Sequence, residues 1–130
     1  MSDRAKGRAV AENMLAAHPN LAGFFCSAEP GCSGVALAVH GRELAGKVKI
    51  VSVDSSPNLI DEMRAGVVHA LIAQDPFGMA FQAVQTIVDK LDGKTPPKRI
   101  DLKPRTITAP DLDLPDVKEL LNPDLTKLGG

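Results

Sequence analysis

Apolar residues recur three and four apart from Asp3 to His18, at Ala5, Ala9, Val10, Met14, Leu15 and Ala17. With this much alanine the pattern predicts a helix that stops at His18-Pro19-Asn20. The next apolar run, Leu21 to Cys26, is short and bounded by turn residues, which predicts a strand buried on both faces of a parallel sheet. Ser27-Ala28-Glu29-Pro30-Gly31 breaks the chain. Pro30 suits the first turn of a helix running through Cys32, Val35, Ala36, Leu37 and Val39 to Gly41 or slightly beyond, because its missing N–H is not needed there.

The same unit repeats twice. Lys47 to Asp54 is β-branched and apolar toward its end, is closed by Ser55-Ser56-Pro57, and leads into helical spacing at Leu59, Ile60, Met63 and Ala65 with Gly66 as the stop. Val67 to Ala73 predicts a third strand, Gln74-Asp75-Pro76 a third break, and Phe77 to Leu91 a long helix. That helix carries Met79, Ala80, Ala83, Val84, Ile87, Val88 and Leu91 on one face. Strands alternating with helices imply right-handed crossovers, so the predicted class is α/β: a parallel sheet with helices on both faces, three layers deep. Past Thr95 the pattern weakens: Ile100 to Thr108 alternates like an edge strand, six prolines punctuate the stretch from Pro96 to Pro123, and Asp116 to Leu121 forms one short helical run. We divide the chain into a lobe, 1–110, and a C-terminal tail packed on it, 111–130.

At 130 residues the chain is one domain or part of one, and its 44% hydrophobic and 24% charged fractions exclude disordered and collagenous classes. Fifteen Lys and Arg against 16 Asp and Glu, without a basic cluster, argue against nucleic acid or an anionic membrane as partner. No apolar run reaches the roughly 18 residues of a membrane helix. Two cysteines are too few for a disulfide scaffold, and His18, His40 and His69 show no zinc spacing, so neither a metal nor a cofactor is expected. Cys26 and Cys32 read as two buried thiols, with a disulfide geometrically conceivable. A Cys–His nucleophile has no histidine placed to serve it, so an enzyme is not expected.

In an open parallel sheet the ligand crevice lies past the carboxyl ends of the strands. The three breaks there hold Ser27-Ala28-Glu29, Asp54-Ser55-Ser56 and Gln74-Asp75, hydrogen-bonding groups without a Gly-rich phosphate loop. Such a rim suits hydroxyls: a carboxylate such as Asp54 accepts from two adjacent sugar hydroxyls, and an amide such as Gln74 both donates and accepts. The competing assignment for Asp54, and equally for Ser55 or Ser56, is a helix cap or an Asx turn, and Glu29 can simply complement a helix dipole.

Four segments together resemble the C-terminal part of the ribose/galactose-type periplasmic sugar-binding proteins of ABC transporters. They are Ala11 to Asn20, Gly23-Phe24-Phe25-Cys26, Val48 to Pro57 and Ala70 to Pro76; the tail from Pro115 to Leu125 is also similar. The resemblance implies one incomplete lobe of a type I periplasmic binding protein fold. It implies sugar-hydroxyl contacts for Asp54 and Gln74, with Glu29 as a further ligand candidate. Where the family places an Asn followed by an acid, this chain has Ala28 and then Glu29.

Members of that family are about twice as long, so the resemblance implies a fragment whose parent binds a monosaccharide, meets a membrane subunit of the transporter and resides in the periplasm. Met1 to Lys6 runs straight into a helix with no signal peptide, which predicts a cytoplasmic chain if Met1 is the natural start. A sheet edge left open predicts a homodimer. The alternatives are the effector-binding domain of a lactose-repressor-type regulator and a structural lobe that binds nothing.

Overall fold

The computed structural model describes residues 3–123. In chain order the elements are α1 (Arg4–Ala17), β1 (Gly23–Cys26), α2 (Glu29–Gly41), β2 (Lys49–Val53), α3 (Pro57–Arg64), β3 (Ala70–Ala73), α4 (Pro76–Leu91), β4 (Arg105–Ile107), a 3-10 turn (Ala109–Asp113) and α5 (Pro115–Leu121). The strands form one sheet in the order β1-β2-β3-β4. β1, β2 and β3 run parallel, with Phe24 opposite Ile50 and Ser52 opposite Leu71, and β4 returns antiparallel, with Ile107 opposite Leu71.

The helix ends follow local chemistry. Asp3 caps α1 by accepting from the Ala5 N–H at 2.8 Å, Ser56 caps α3 through the Leu59 N–H at 3.3 Å, and Asp75 caps α4 through the Gly78 N–H at 2.8 Å. Pro30, Pro57 and Pro76 all sit in first turns. Gly66 takes a φ of +76° just past α3, which residues with a Cβ adopt poorly.

One face of the sheet is closed. Ile50, Leu71 and Ile107 point to it and are fully buried among Val39 of α2 and Leu59 and Met63 of α3, while Leu112 and Val117 bury in the same core. α1 does not touch the sheet broadly; it lies across α2, contributing Ala11 and Leu15. The two helices meet backbone to backbone: a Cβ built on Gly34 would stand 2.2 Å from the Arg4 carbonyl, and one on Gly7 2.5 Å from the Gly31 carbonyl.

The other face is open. α4 stands over it across a cavity of about 770 Å³ walled by Val53 and Ile72 on the sheet side and Met79, Ala83 and Ile87 on the helix side. None of the α4 residues is buried. Phe25 on β1, expected inside a strand buried on both faces, is 67% exposed.

His69 precedes β3, with Lys49 Nζ 3.1 Å from its Nε2. Desolvation, and then that cation, hold its pKa below the ordinary imidazole value of about 6.5. The folded state thus binds fewer protons than the unfolded chain in this range, so this group's share of stability is complete above pH 6.5 and declines as pH falls through 6.5 toward the lower folded value. Chemical denaturation between pH 7.5 and 5 is expected to show that decline, and His69→Gln to flatten it; an NMR midpoint for His69 at or above 6.5 contradicts the assignment.

Candidate functional site

Adjacent parallel strands end side by side, so the turns leaving β2 and β3 are brought together. Asp54 comes directly after β2 and Gln74 directly after β3; the Asp54 N–H donates to the Ile72 carbonyl at 3.1 Å, which ties the first turn to the neighbouring strand. Gln74 Nε2 then donates to Asp54 Oδ1 at 2.5 Å. The pair lies on the solvent side of the sheet's carboxyl edge, Asp54 half-buried and Gln74 exposed.

The capping alternative for Asp54 fails on geometry. Ser56 supplies the cap of α3, and Asp54 itself sits at φ +67°, in the left-handed region. Aspartate tolerates that region better than most residues, yet it still costs on the order of 1–3 kcal/mol, a strain that clusters where a side chain must be aimed. The conformation frees the Asp54 carboxylate from its own backbone and turns it to Gln74.

Glu29 is not brought to that pair. Its Oε1 accepts from the Ser33 hydroxyl at 2.7 Å and from the Ser56 hydroxyl at 2.9 Å, so it joins the start of α2 to the cap of α3. Ser56 is therefore held from two sides, by Glu29 and by the Leu59 N–H. The chain's turn from β2 into α3, and with it Asp54, is pinned by this bridge. Sequence reasoning placed Glu29 and Ser56 in two separate turns and had no signal that they meet, since nothing in the spacing of positions 29 and 56 reports it.

Gln74 also borders the 770 Å³ cavity under α4, which residues 97–104 line as well, Lys98, Arg99 and Lys103 among them. Its size falls in the range that takes small ligands. Among the described residues no group of three or more His, Cys, Asp or Glu comes together to hold a metal ion, and no helix is long and apolar enough to cross a membrane.

Residues 1–95 match the profile of the family described as periplasmic binding protein domain. The chain is 33% identical over 87 residues to the D-allose-binding periplasmic protein of Escherichia coli (strain K12), an alignment that covers 67% of this chain and 28% of that protein. A solute-binding protein of an ABC transporter from Agrobacterium vitis, solved with bound D-fucose, superposes with a TM-score of 0.83 at 27% identity, over 92% of this chain and 41% of that one. Another from Agrobacterium vitis, with bound α-D-tagatopyranose, gives a TM-score of 0.88 at 24% identity and supports the fold; it covers 95% of this chain and 41% of its own. The chain thus spans less than half the length of the proteins it matches.

Proposed function

The chain belongs to the periplasmic binding protein domain family, and on that premise we propose that it is one lobe of the solute-binding component of an ABC-type sugar importer, binding a monosaccharide through Asp54 and Gln74. One observation carries the proposal: two neighbouring parallel strands deliver a carboxylate and an amide 2.5 Å apart at the edge of an incomplete type I fold. The relatives are solute-binding proteins, which supports binding without turnover.

The chemistry of the pair fits a vicinal diol. In the free lobe each group satisfies part of the other; a sugar exchanges that bond for hydroxyl donors to Asp54 Oδ1 and Oδ2 and a donor–acceptor contact at the Gln74 amide. Glu29 acts through Ser56, holding the turn that aims Asp54. A lobe that meets the sugar from one side leaves the other side wet, and closure by a second lobe is what completes burial and presents a surface to the membrane subunit. Periplasmic residence follows for the parent protein. For the chain as it stands, the partner we propose is a second copy, seated on α4.

A thermal-shift titration against D-allose, D-ribose, D-fucose and further aldoses tests the site. Sugar at about 100 times its dissociation constant adds roughly 2.7 kcal/mol and moves the midpoint by several degrees. The shift is expected to disappear in Asp54→Ala and in Asp54→Asn, the latter keeping the size of the side chain and its tolerance of the left-handed conformation while removing the second carboxylate oxygen. A cooperatively folded sample that shifts with none of the sugars sinks the proposal and favours a structural lobe.

A further inference from the structure

We propose that the site selects a deoxy sugar, because the position beside Asp54 that would meet a further ring hydroxyl carries only the methyl group of Ala28. The inference rests on the assignment of Asp54 and Gln74 to sugar hydroxyls and narrows the class of sugar they take.

The register of the sheet places the residue. Cys26 of β1 lies opposite Ser52 of β2, and counting on by two residues sets Ala28 level with Asp54. Val53 lies opposite Ile72, which sets Asp54 level with Ala73, one residue short of Gln74. Ala28 keeps the extended backbone of a strand, at φ −159° and ψ 145°, so the count carries through it. The two turns also touch: Glu29, the next residue, accepts from the Ser56 hydroxyl at 2.9 Å. Three adjacent strand ends thus present a row of methyl, carboxylate and amide.

No polar side chain stands in at the first place of that row. The Glu29 Oε1 accepts from Ser33 and from Ser56, which draws the carboxylate along α2 and toward α3. Ser27 counts level with Val53, one place short. Ala28 also lines a cavity of about 440 Å³ walled by Val10, Met14, Phe24 and Val35 among others, so the surroundings of its methyl are largely apolar. Local structure gives no reason for an alanine here. Ala28 is the N-cap of α2 and makes no side-chain bond to the helix, where Asn, Asp or Ser would satisfy a free N–H. The residue is a poor cap and a good apolar contact.

A sugar hydroxyl pressed against this surface gives up water and gains no partner, whereas a hydrogen or methyl in its place leaves nothing unpaired. An apolar surface rejects an added hydroxyl only moderately, so the preference for the deoxy form is about tenfold.

Titration calorimetry of the full chain compares matched pairs: D-galactose with D-fucose, its 6-deoxy form, and D-ribose and D-allose each with their deoxy forms. In at least one pair the deoxy sugar is expected to bind about tenfold tighter. Ala28→Asn is expected to erase or reverse that preference, since its amide both donates to and accepts from a hydroxyl. The same substitution supplies α2 with a cap, so its melting midpoint is expected to hold or rise, which separates a changed preference from a damaged fold. Binding in which every parent sugar equals or exceeds its deoxy form overturns the inference and leaves Asp54 and Gln74 in their roles, as does a deoxy preference that survives in Ala28→Asn. Binding of no sugar at all removes the assignment of Asp54 and Gln74, and this inference with it.

Discussion

Gly34→Ala is expected to remove about 3 kcal/mol of stability, near the upper end of what an overpacked contact costs. The added methyl would lie 2.2 Å from the Arg4 carbonyl, 2.5 Å from the Arg8 amide nitrogen and 2.9 Å from the Gly7 carbonyl carbon. All three are backbone atoms of α1, so no side chain can rotate away; the helix itself must move. Moving it pulls Ala11 and Leu15 from the core and separates the Gly7 and Gly31 backbones. Alanine's better helix propensity returns at most about 1 kcal/mol. Against a total of roughly 5–15 kcal/mol, the net loss is a large fraction, and the melting midpoint is expected to fall by about 10 °C. Gly41→Ala is the control, since nothing lies within 4 Å of its Cβ and its stability is expected to hold or rise slightly. Equal urea midpoints for Gly34→Ala and wild type would mean that the two helices are not in backbone contact.

The second large effect concerns α4. Phe77, Phe81, Val84, Val88 and Leu91 follow the alternating four-and-three spacing of a coiled-coil seam, and all five are exposed, Leu91 to 81%. Met79, Ala83 and Ile87 turn the other way, toward the cavity over the sheet. A helix with apolar residues on two sides needs cover on both. The outer seam exposes on the order of 500 Å² of apolar surface; at the roughly two-thirds apolar share of homodimer interfaces this corresponds to about 800 Å² per protomer, the size of a stable contact. The spacing suits another helix with the same spacing, and a second α4 supplies one. The chain is therefore expected to be dimeric at ten micromolar by light scattering, and Val84→Asp together with Val88→Asp to make it monomeric with little change in far-ultraviolet circular dichroism. A wild-type monomer that binds a hydrophobic dye overturns the dimer and points to cover from another stretch of a longer chain.

Much of this architecture was legible in the sequence. The helical spacing of α1, the β-branched run of β2 and the Pro-led starts of α2 and α3 set element type and order, and the boundaries of these elements and of β3 moved by three residues at most, as where the strand expected from Val67 begins at Ala70. The strand expected over Ile100 to Thr108 is shorter, Arg105–Ile107. The apolar face of α4 was equally legible, but periodicity reports which residues share a face and is silent on what lies opposite; in this lobe little does. The same limit applies to Phe25. At the site, strand ends located Asp54 and Gln74, while the left-handed backbone of Asp54 depends on the hydrogen bond from its amide to Ile72, a tertiary contact. Gly34 was invisible for a related reason: a helical glycine reads as a weak spot until a second backbone is found against it.

The antiparallel return of β4 has a further consequence, in the topology of the chain. Ala73 pairs with Arg105, so the chain leaves the sheet at the end of β3 and re-enters it directly alongside. Antiparallel neighbours can be joined by a two-residue turn, and residues 74–104, which contribute nothing to the buried core, form a detour whose two ends nearly coincide. Closing a detour becomes only slowly more costly as it lengthens, about 0.6 kcal/mol for each doubling. The stretch that carries both Gln74 and the α4 seam is thus a detachable limb, able to change in length and surface across evolution while the sheet and the α1–α3 layer keep their own register.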